Sequence, residues 1–166
     1  ILGLSVALAL VLCACDPRAS SETATVSGER AMEHVRAQVA LGPRPPGSAA
    51  QQRCRDYIEQ QMRGFGYEVE KDTFVADTPY GPIRMQNLIA RRGEPGEGVI
   101  VLASHYDTKR MERIDFVGAN DAGSSTALLI ELARVLAAGR GPHEYWFVFT
   151  DGEEAFVEWS TFDSTY

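Results

Sequence analysis

The chain has 166 residues, with 23 Asp or Glu against 16 Lys or Arg and a formal charge of −7. That acidity argues against nucleic acid as a partner, because phosphate binding needs a basic surface. The length, with 45% hydrophobic residues, suits one domain or a large piece of one.

The first twelve residues, Ile1 to Leu12, are an uncharged apolar run. It is far too short for the ~20 residues of a membrane-spanning helix and reads as the core of a secretory signal. No Met or basic segment precedes it, so the natural start is expected to be missing. Leu12-Cys13-Ala14-Cys15 resembles a bacterial lipobox. Cys15 would then be the lipidated mature N-terminus, on the periplasmic face of a membrane in the bacterial cell envelope. The alternative is an ordinary cleavable signal and a secreted protein. Residues 16–28 are small and polar, the composition of a flexible tether, and the folded part is expected to occupy 29–166. If Cys13 is cleaved off and Cys15 lipidated, Cys54 is the one thiol left and an intrachain disulfide is excluded.

Between Glu29 and Leu41 the apolar residues Ala31, Val35 and Val39 recur at helical spacing, and Gly42-Pro-Arg-Pro-Pro-Gly47 stops that helix. A second helix is expected beyond Ser48, a suitable N-cap, with Ala50, Cys54, Tyr57, Ile58, Met62 and Phe65 on one face until Gly64 and Gly66 end it. Cys54 lies on that stripe and is read as core packing. Tyr67 to Phe74 and Ile83 to Ala90 read as two peripheral strands joined by a turn over Asp77 to Pro82. Val99 to Ala103 and Tyr145 to Phe149 are continuous apolar runs, suited to strands covered on both faces of a parallel sheet. Between them, Leu128, Leu129, Leu132, Val135 and Leu136 mark a helix over Ala122 to Ala138, with Gly139 as its C-cap. Strand, helix and strand make a βαβ crossover.

In such a sheet the ligand site lies beyond the carboxyl ends of the strands. The first run is followed by Ser104-His105-Tyr106-Asp107, the second by Thr150-Asp-Gly-Glu-Glu154, and the crossover helix is entered through Gly118-Ala-Asn-Asp121. One imidazole and several carboxylates thus reach one rim from separate segments, as in a metal site. Each part has a plainer reading: Asp121 as a helix cap, Glu153 and Glu154 as a solvated pair, His105 as a hydrogen-bonded core residue, Tyr106 as packing. Taken together, clustered carboxylates repel and raise one another's pKa unless a cation compensates them. Two carboxylates and a neutral His around Zn²⁺ sum to zero charge and leave a position open.

The order His105-x-Asp107, Gly118-Ala-Asn-Asp121 leading into a Leu-Ile-Glu-Leu-Ala-Arg helix, then Glu153-Glu154 resembles the M28 metallopeptidase family. Asp151-Gly-Glu-Glu-Ala-Phe-Val-Glu-Trp-Ser-Thr-Phe-Asp-Ser-Thr-Tyr166 is similar to its glutaminyl cyclase branch, and Gly42-Pro-Arg-Pro-Pro-Gly-Ser48 fits either branch. The resemblance implies an α/β fold, a three-layer α/β/α domain with a mixed, mostly parallel central sheet, of which 29–166 would be the N-terminal part.

It also implies Asp121 and Glu154 as zinc ligands and Glu153 as the catalytic acid/base. In two-zinc aminopeptidases His105 would bind the second metal, with Asp121 bridging and Asp107 orienting His105. In one-zinc cyclases His105 and Asp107 would serve the pocket. The third cyclase ligand is a His near the family's C-terminus, expected after Tyr166; His34 and His143 read as solvated. Trp159 is a candidate wall of the substrate pocket or a lid over the core.

The implied reaction is conversion of an N-terminal Gln of a peptide or protein to pyroglutamate with release of ammonia. The alternative is hydrolysis of the N-terminal peptide bond, and a third class is a lipid-anchored binding protein without activity. Membrane contact is expected only through the lipid anchor.

Overall fold

The computed structural model describes residues 24–139, 141–158 and 163. The lipobox with Cys15, most of the expected tether, and Trp159 lie outside the described residues. Folded structure begins slightly before the expected boundary. Helix α1, Gly28–Val39, is capped by Ser27, whose Oγ accepts from Arg30 N at 3.3 Å. Ser27 N donates to Glu131 Oε1 at 2.7 Å, and Arg134 Nη2 reaches Thr25 O at 2.9 Å. The end of the tether is therefore tied to the third helix.

On α1 the buried residues are Val35 and Gln38, so the expected apolar stripe carries a buried amide. Gln38 Nε2 donates to His34 O and to Gly123 O, both at 3.1 Å, which satisfies its donors. His34 is not simply solvated: its Nδ1 lies 2.6 Å from the Tyr57 hydroxyl, and burial lowers its pKa. Helix α2, Ala49–Gly64, starts as expected, with Ser48 Oγ accepting from Gln51 N at 3.1 Å. Cys54, Ile58 and Met62 on its inner face are fully buried. Burial pushes the Cys54 thiol up to about 11, in keeping with a packing residue.

Strands β1, Glu68–Thr78, and β2, Gly81–Arg92, form an antiparallel hairpin. Its turn is shorter than the spacing suggests, because Asp77 pairs with Pro82 and Thr78 with Gly81. With β3, Val99–His105, and β4, Glu144–Thr150, they make a sheet of order β1-β2-β4-β3. The sheet is mixed: β3 and β4 are parallel, whereas β2 is antiparallel to both β1 and β4. β2 is thus an inner strand rather than a peripheral one. The reason is visible in its pairing, since Leu88 and Ala90 sit beside Phe149 and Phe147 and share their buried face.

Helix α3, Gly123–Ala137, completes the crossover between β3 and β4. Its buried face is Thr126, Ala127, Leu129, Ile130, Glu131 and Ala133, while Leu128 is 44% exposed. Leu129 joins the core and Leu132 and Leu136 pack against it, so much of the leucine stripe faces inward and the buried face extends from it to Ile130 and Ala133. Gly139 does not take the positive φ of a C-cap glycine. Helices α2 and α3 pack with Leu88, Ala90, Phe147 and Phe149 into one core, and α1 lies against α3. On the other side of β3, Val99 and Val101 are 43% and 58% exposed. Among the described residues the expected second helical layer is absent, and those apolar strands are covered on one face.

The burial of Ile130 generates a direct check. Ile130→Ala is expected to cost about 2–5 kcal/mol, as for a fully buried aliphatic chain. Val75→Ala, on an exposed position of β1, is expected to stay within about 0.5 kcal/mol. Urea unfolding of the two variants measures both values.

Candidate active site

Parallel pairing of β3 with β4 sets His105 beside Thr150, and Tyr106 N donates to Thr150 O at 3.1 Å. The two strands therefore end together, and the segments that follow them leave from one rim. α3 begins at the same rim, just after Asp121.

Asp107, fully buried, joins these segments. Its Oδ1 and Oδ2 accept the backbone N–H groups of Glu153 and Glu154 at 3.3 and 3.2 Å. Its carboxylate also stands 3.4 Å from His105 Nδ1, a charge contact rather than an aligned hydrogen bond. The other ring nitrogen, Nε2, is 2.9 Å from Asp121 Oδ1 and 3.7 Å from Glu153 Oε2. His105 is thus enclosed by three carboxylates from three segments.

The capping reading of Asp121 fails: the helix N-cap is Ala122, without a side-chain hydrogen bond, and the Asp121 carboxylate turns to His105. Glu153 and Glu154 are not a solvated pair either. Glu154 is 4% exposed. Both glutamates have raised pKa values, first from burial and then from the negative charge of Asp107 and Asp121.

Two glycines permit this geometry. Gly152 takes φ +77 where the chain turns from the end of β4 to Glu153. Gly118 takes φ +52, and a Cβ there would come within 2.6 Å of Thr108 Cγ2. Either conformation is strained for any other residue.

Arg44 holds the rim from beneath. It is fully buried, yet its guanidinium donates to carbonyls: Nη1 to Val117 O at 2.8 Å and Gln38 O at 3.2 Å, Nε to Tyr106 O at 3.3 Å. Its backbone N–H donates to Thr108 Oγ1 at 2.8 Å, and its carbonyl accepts from Thr108 N at 3.1 Å. The Gly-Pro segment that stops α1 is therefore also the strut under the loops carrying Asp107 and Asp121. Sequence reasoning missed this role. The available signal was an arginine set among rigid prolines, a poor site for a solvated side chain.

Tyr106 is more than packing, for its hydroxyl lies 2.7 Å from Gln86 O and 3.1 Å from Asp151 Oδ2. Of the residues singled out by sequence, His105, Asp107, Asp121, Glu153 and Glu154 meet at this rim. His143 is apart, 3.9 Å from Glu97.

The donor chemistry suits a divalent cation. Burial and the charge of Asp107 and Asp121 disfavour the ionised forms of Glu153 and Glu154, a penalty that a cation removes. Among the described residues, however, no three His, Cys, Asp or Glu side chains form a group able to hold an ion by themselves. In the metal-free chain the positive charge falls to His105: burial opposes it, but Asp107, Glu153 and Asp121 outweigh burial and raise its pKa to about 9.

That shift has a sign. A folded pKa above the unfolded value of about 6.5 gives stability that is fully present below pH ~6.5 and lost as pH rises through about 9. An NMR titration of metal-free protein should place the His105 ring near that value. Asp107→Asn should move the midpoint downward by removing its strongest raising partner, and should remove much of the stability difference between pH 6 and pH 10 in denaturant melts.

Residues 87–164 match the family described as Peptidase family M28. The chain is 36% identical over 132 residues to a glutaminyl-peptide cyclotransferase of Drosophila melanogaster, covering 76% of this chain and 37% of the relative. The structure superposes on a glutaminyl cyclase from an Acidobacteriales bacterium with TM-score 0.77 and 39% identity, over 90% of this chain and 53% of that one. A Zn-dependent exopeptidase from Parabacteroides distasonis has TM-score 0.79 at 23% identity, a likeness of fold alone. The chain thus spans about half the length of these solved structures and little more than a third of the curated relative. Residues 87–164 are thus similar to Peptidase family M28, and most of the chain is similar to glutaminyl cyclases.

Proposed function

We propose that this chain belongs to a zinc-dependent glutaminyl-peptide cyclotransferase, which converts an N-terminal Gln to pyroglutamate and releases ammonia. The observation that carries the reading is the gathering of Glu153 and Asp121 around one nitrogen of His105, with Glu154 beside them. Similarity to the cyclases selects this reaction among those that such a site supports.

In this reading Asp121 and Glu154 hold one zinc ion, with a third ligand from outside the described residues. The ion supplies Lewis acidity to the γ-carbonyl of the substrate glutamine. The acidic rim attracts the peptide's amino terminus. Glu153, its pKa raised by burial and its acidic neighbours, takes a proton from the α-amine as that nitrogen bonds to the carbonyl carbon of the side-chain amide, Cδ. It then returns the proton to the departing amide nitrogen, which leaves as ammonia. Nucleophile and carbonyl belong to one residue, so proximity replaces a bimolecular encounter. Asp107 keeps Glu153 and Glu154 in place through their backbone N–H groups. Trp159 is assigned to the wall of the pocket. An exported location with Cys15 as lipid anchor belongs to the same reading, supported by the lipobox-like sequence.

The deciding experiment uses the full-length enzyme with Gln-Ala and Leu-Ala. Ammonia from Gln-Ala alone, with the peptide bond intact, is the expected result; free alanine from Leu-Ala makes the enzyme an aminopeptidase. Glu153→Gln should lower turnover by roughly 10²- to 10⁴-fold with zinc content retained. Asp121→Ala and Glu154→Ala should lose zinc together with activity, as metal analysis of the purified variants will register.

A further inference from the structure

The segment 151–154 is fastened at two points. Asp107 holds its far end; its near end is held by Asp151, a carboxylate with no part in the mechanism above. Asp151 is 1% exposed and surrounded by donors from three parts of the fold. Gln51 Nε2 of α2 donates to its Oδ1 in a short hydrogen bond. Gln86 N of β2 donates to Oδ2 at 2.9 Å, with the Tyr106 hydroxyl 3.1 Å from the same oxygen. The guanidinium of Arg55, also on α2, stands 3.7 Å away as the counter-charge. The Asp151 backbone N–H in turn donates to Asn87 Oδ1 at 3.0 Å.

This arrangement exceeds what a strand end needs. β4 is already paired on both sides, and a buried charge with this many partners is costly to assemble. Its effect is to fix the position and direction of the chain at Asp151, two residues before Glu153, where it enters Gly152. Each carboxylate oxygen faces an N–H donor, Gln51 Nε2 at Oδ1 and Gln86 N at Oδ2, so an amide would set an N–H against another donor. The requirement is for Asp rather than for its shape.

We propose that Asp151 is a positioning residue for the catalytic loop: it aims Glu153 from behind while Asp107 aims it from the rim. The proposal rests on the reading of Glu153 as the acid/base. It holds whether that base serves cyclisation or hydrolysis.

The test uses the full-length enzyme, with turnover expressed per mole of bound zinc and KM measured alongside. Asp151→Asn should lower kcat by about 10- to 100-fold, the usual effect of removing a partner that orients a metal-site residue, with KM unchanged. A residue that only stabilised the fold would lower the melting temperature and leave kcat per zinc-loaded site alone.

Rescue sharpens the test. In the double variant Gln51→Glu with Asp151→Asn, the new amide can donate to the new carboxylate. Glu at 51 can still accept from Gly47 N, as Gln51 Oε1 does at 2.9 Å, and it stands one helical turn from Arg55. Recovery of kcat in the double variant supports the proposal; a folded double variant as slow as the single one overturns it. So does wild-type kcat in Asp151→Asn. If Asp151→Asn does not fold, Tyr106→Phe, which removes one donor, should lower kcat about two- to tenfold, and an unchanged value overturns the proposal. Hydrolysis of Leu-Ala by the wild type would end the cyclase reading but leave this comparison intact, since the same variants can be assayed on that reaction.

Discussion

Asp107 is the constraint on which the rim depends. A buried carboxylate must be answered by donors or by charge, and here the answer comes from the backbone N–H groups of Glu153 and Glu154 and from the ring of His105. One side chain at the exit of β3 thus determines where the residues after β4 stand. The parallel pairing of the two strands brings these segments together; Asp107 converts that neighbourhood into fixed relative positions.

Beneath the rim, Arg44 does with carbonyls what Asp107 does with amides. Its guanidinium gathers the ends of α1, β3 and the loop before α3. A buried guanidinium without a directly paired carboxylate tolerates little displacement of its acceptors. Burial lowers its pKa, while the more distant charge of Asp107 opposes that shift. The loops of the site therefore rest on a dense polar network rather than on apolar packing. The apolar core lies on the helix-covered face of the sheet, where α2 and α3 meet Phe147 and Phe149.

Electrostatically the rim is poised for a cation. His105 is drawn toward its charged form by three carboxylates, while Glu153 and Glu154 are drawn toward their neutral forms by burial and by the same neighbours. A glutamate with a raised pKa is a better proton carrier near neutral pH than a solvated one. The acidic crowding that invites a metal thus also tunes the group assigned to proton transfer.

The amino-acid sequence by itself determined the elements and the chemistry of the rim. Helical stripes with Ser48 as a cap, apolar runs of strand length, and polar residues immediately after those runs are local patterns, legible because periodicity and capping act over a few residues. The run-then-polar pattern was enough to single out His105, Asp107, Asp121, Glu153 and Glu154. Tertiary structure alone decided that β2 lies inside the sheet, because its neighbour β4 is more than fifty residues away. It also set Ile130 in the core and left Leu128 exposed, since α3 packs against α1 as well as against the sheet. Asp121 as a partner of His105 instead of a helix cap, and Arg44 and Asp151 as struts of the rim, follow from hydrogen bonds between distant segments. Such bonds leave no periodic trace in the sequence, since a buried polar residue is defined by the partners that the fold brings to it.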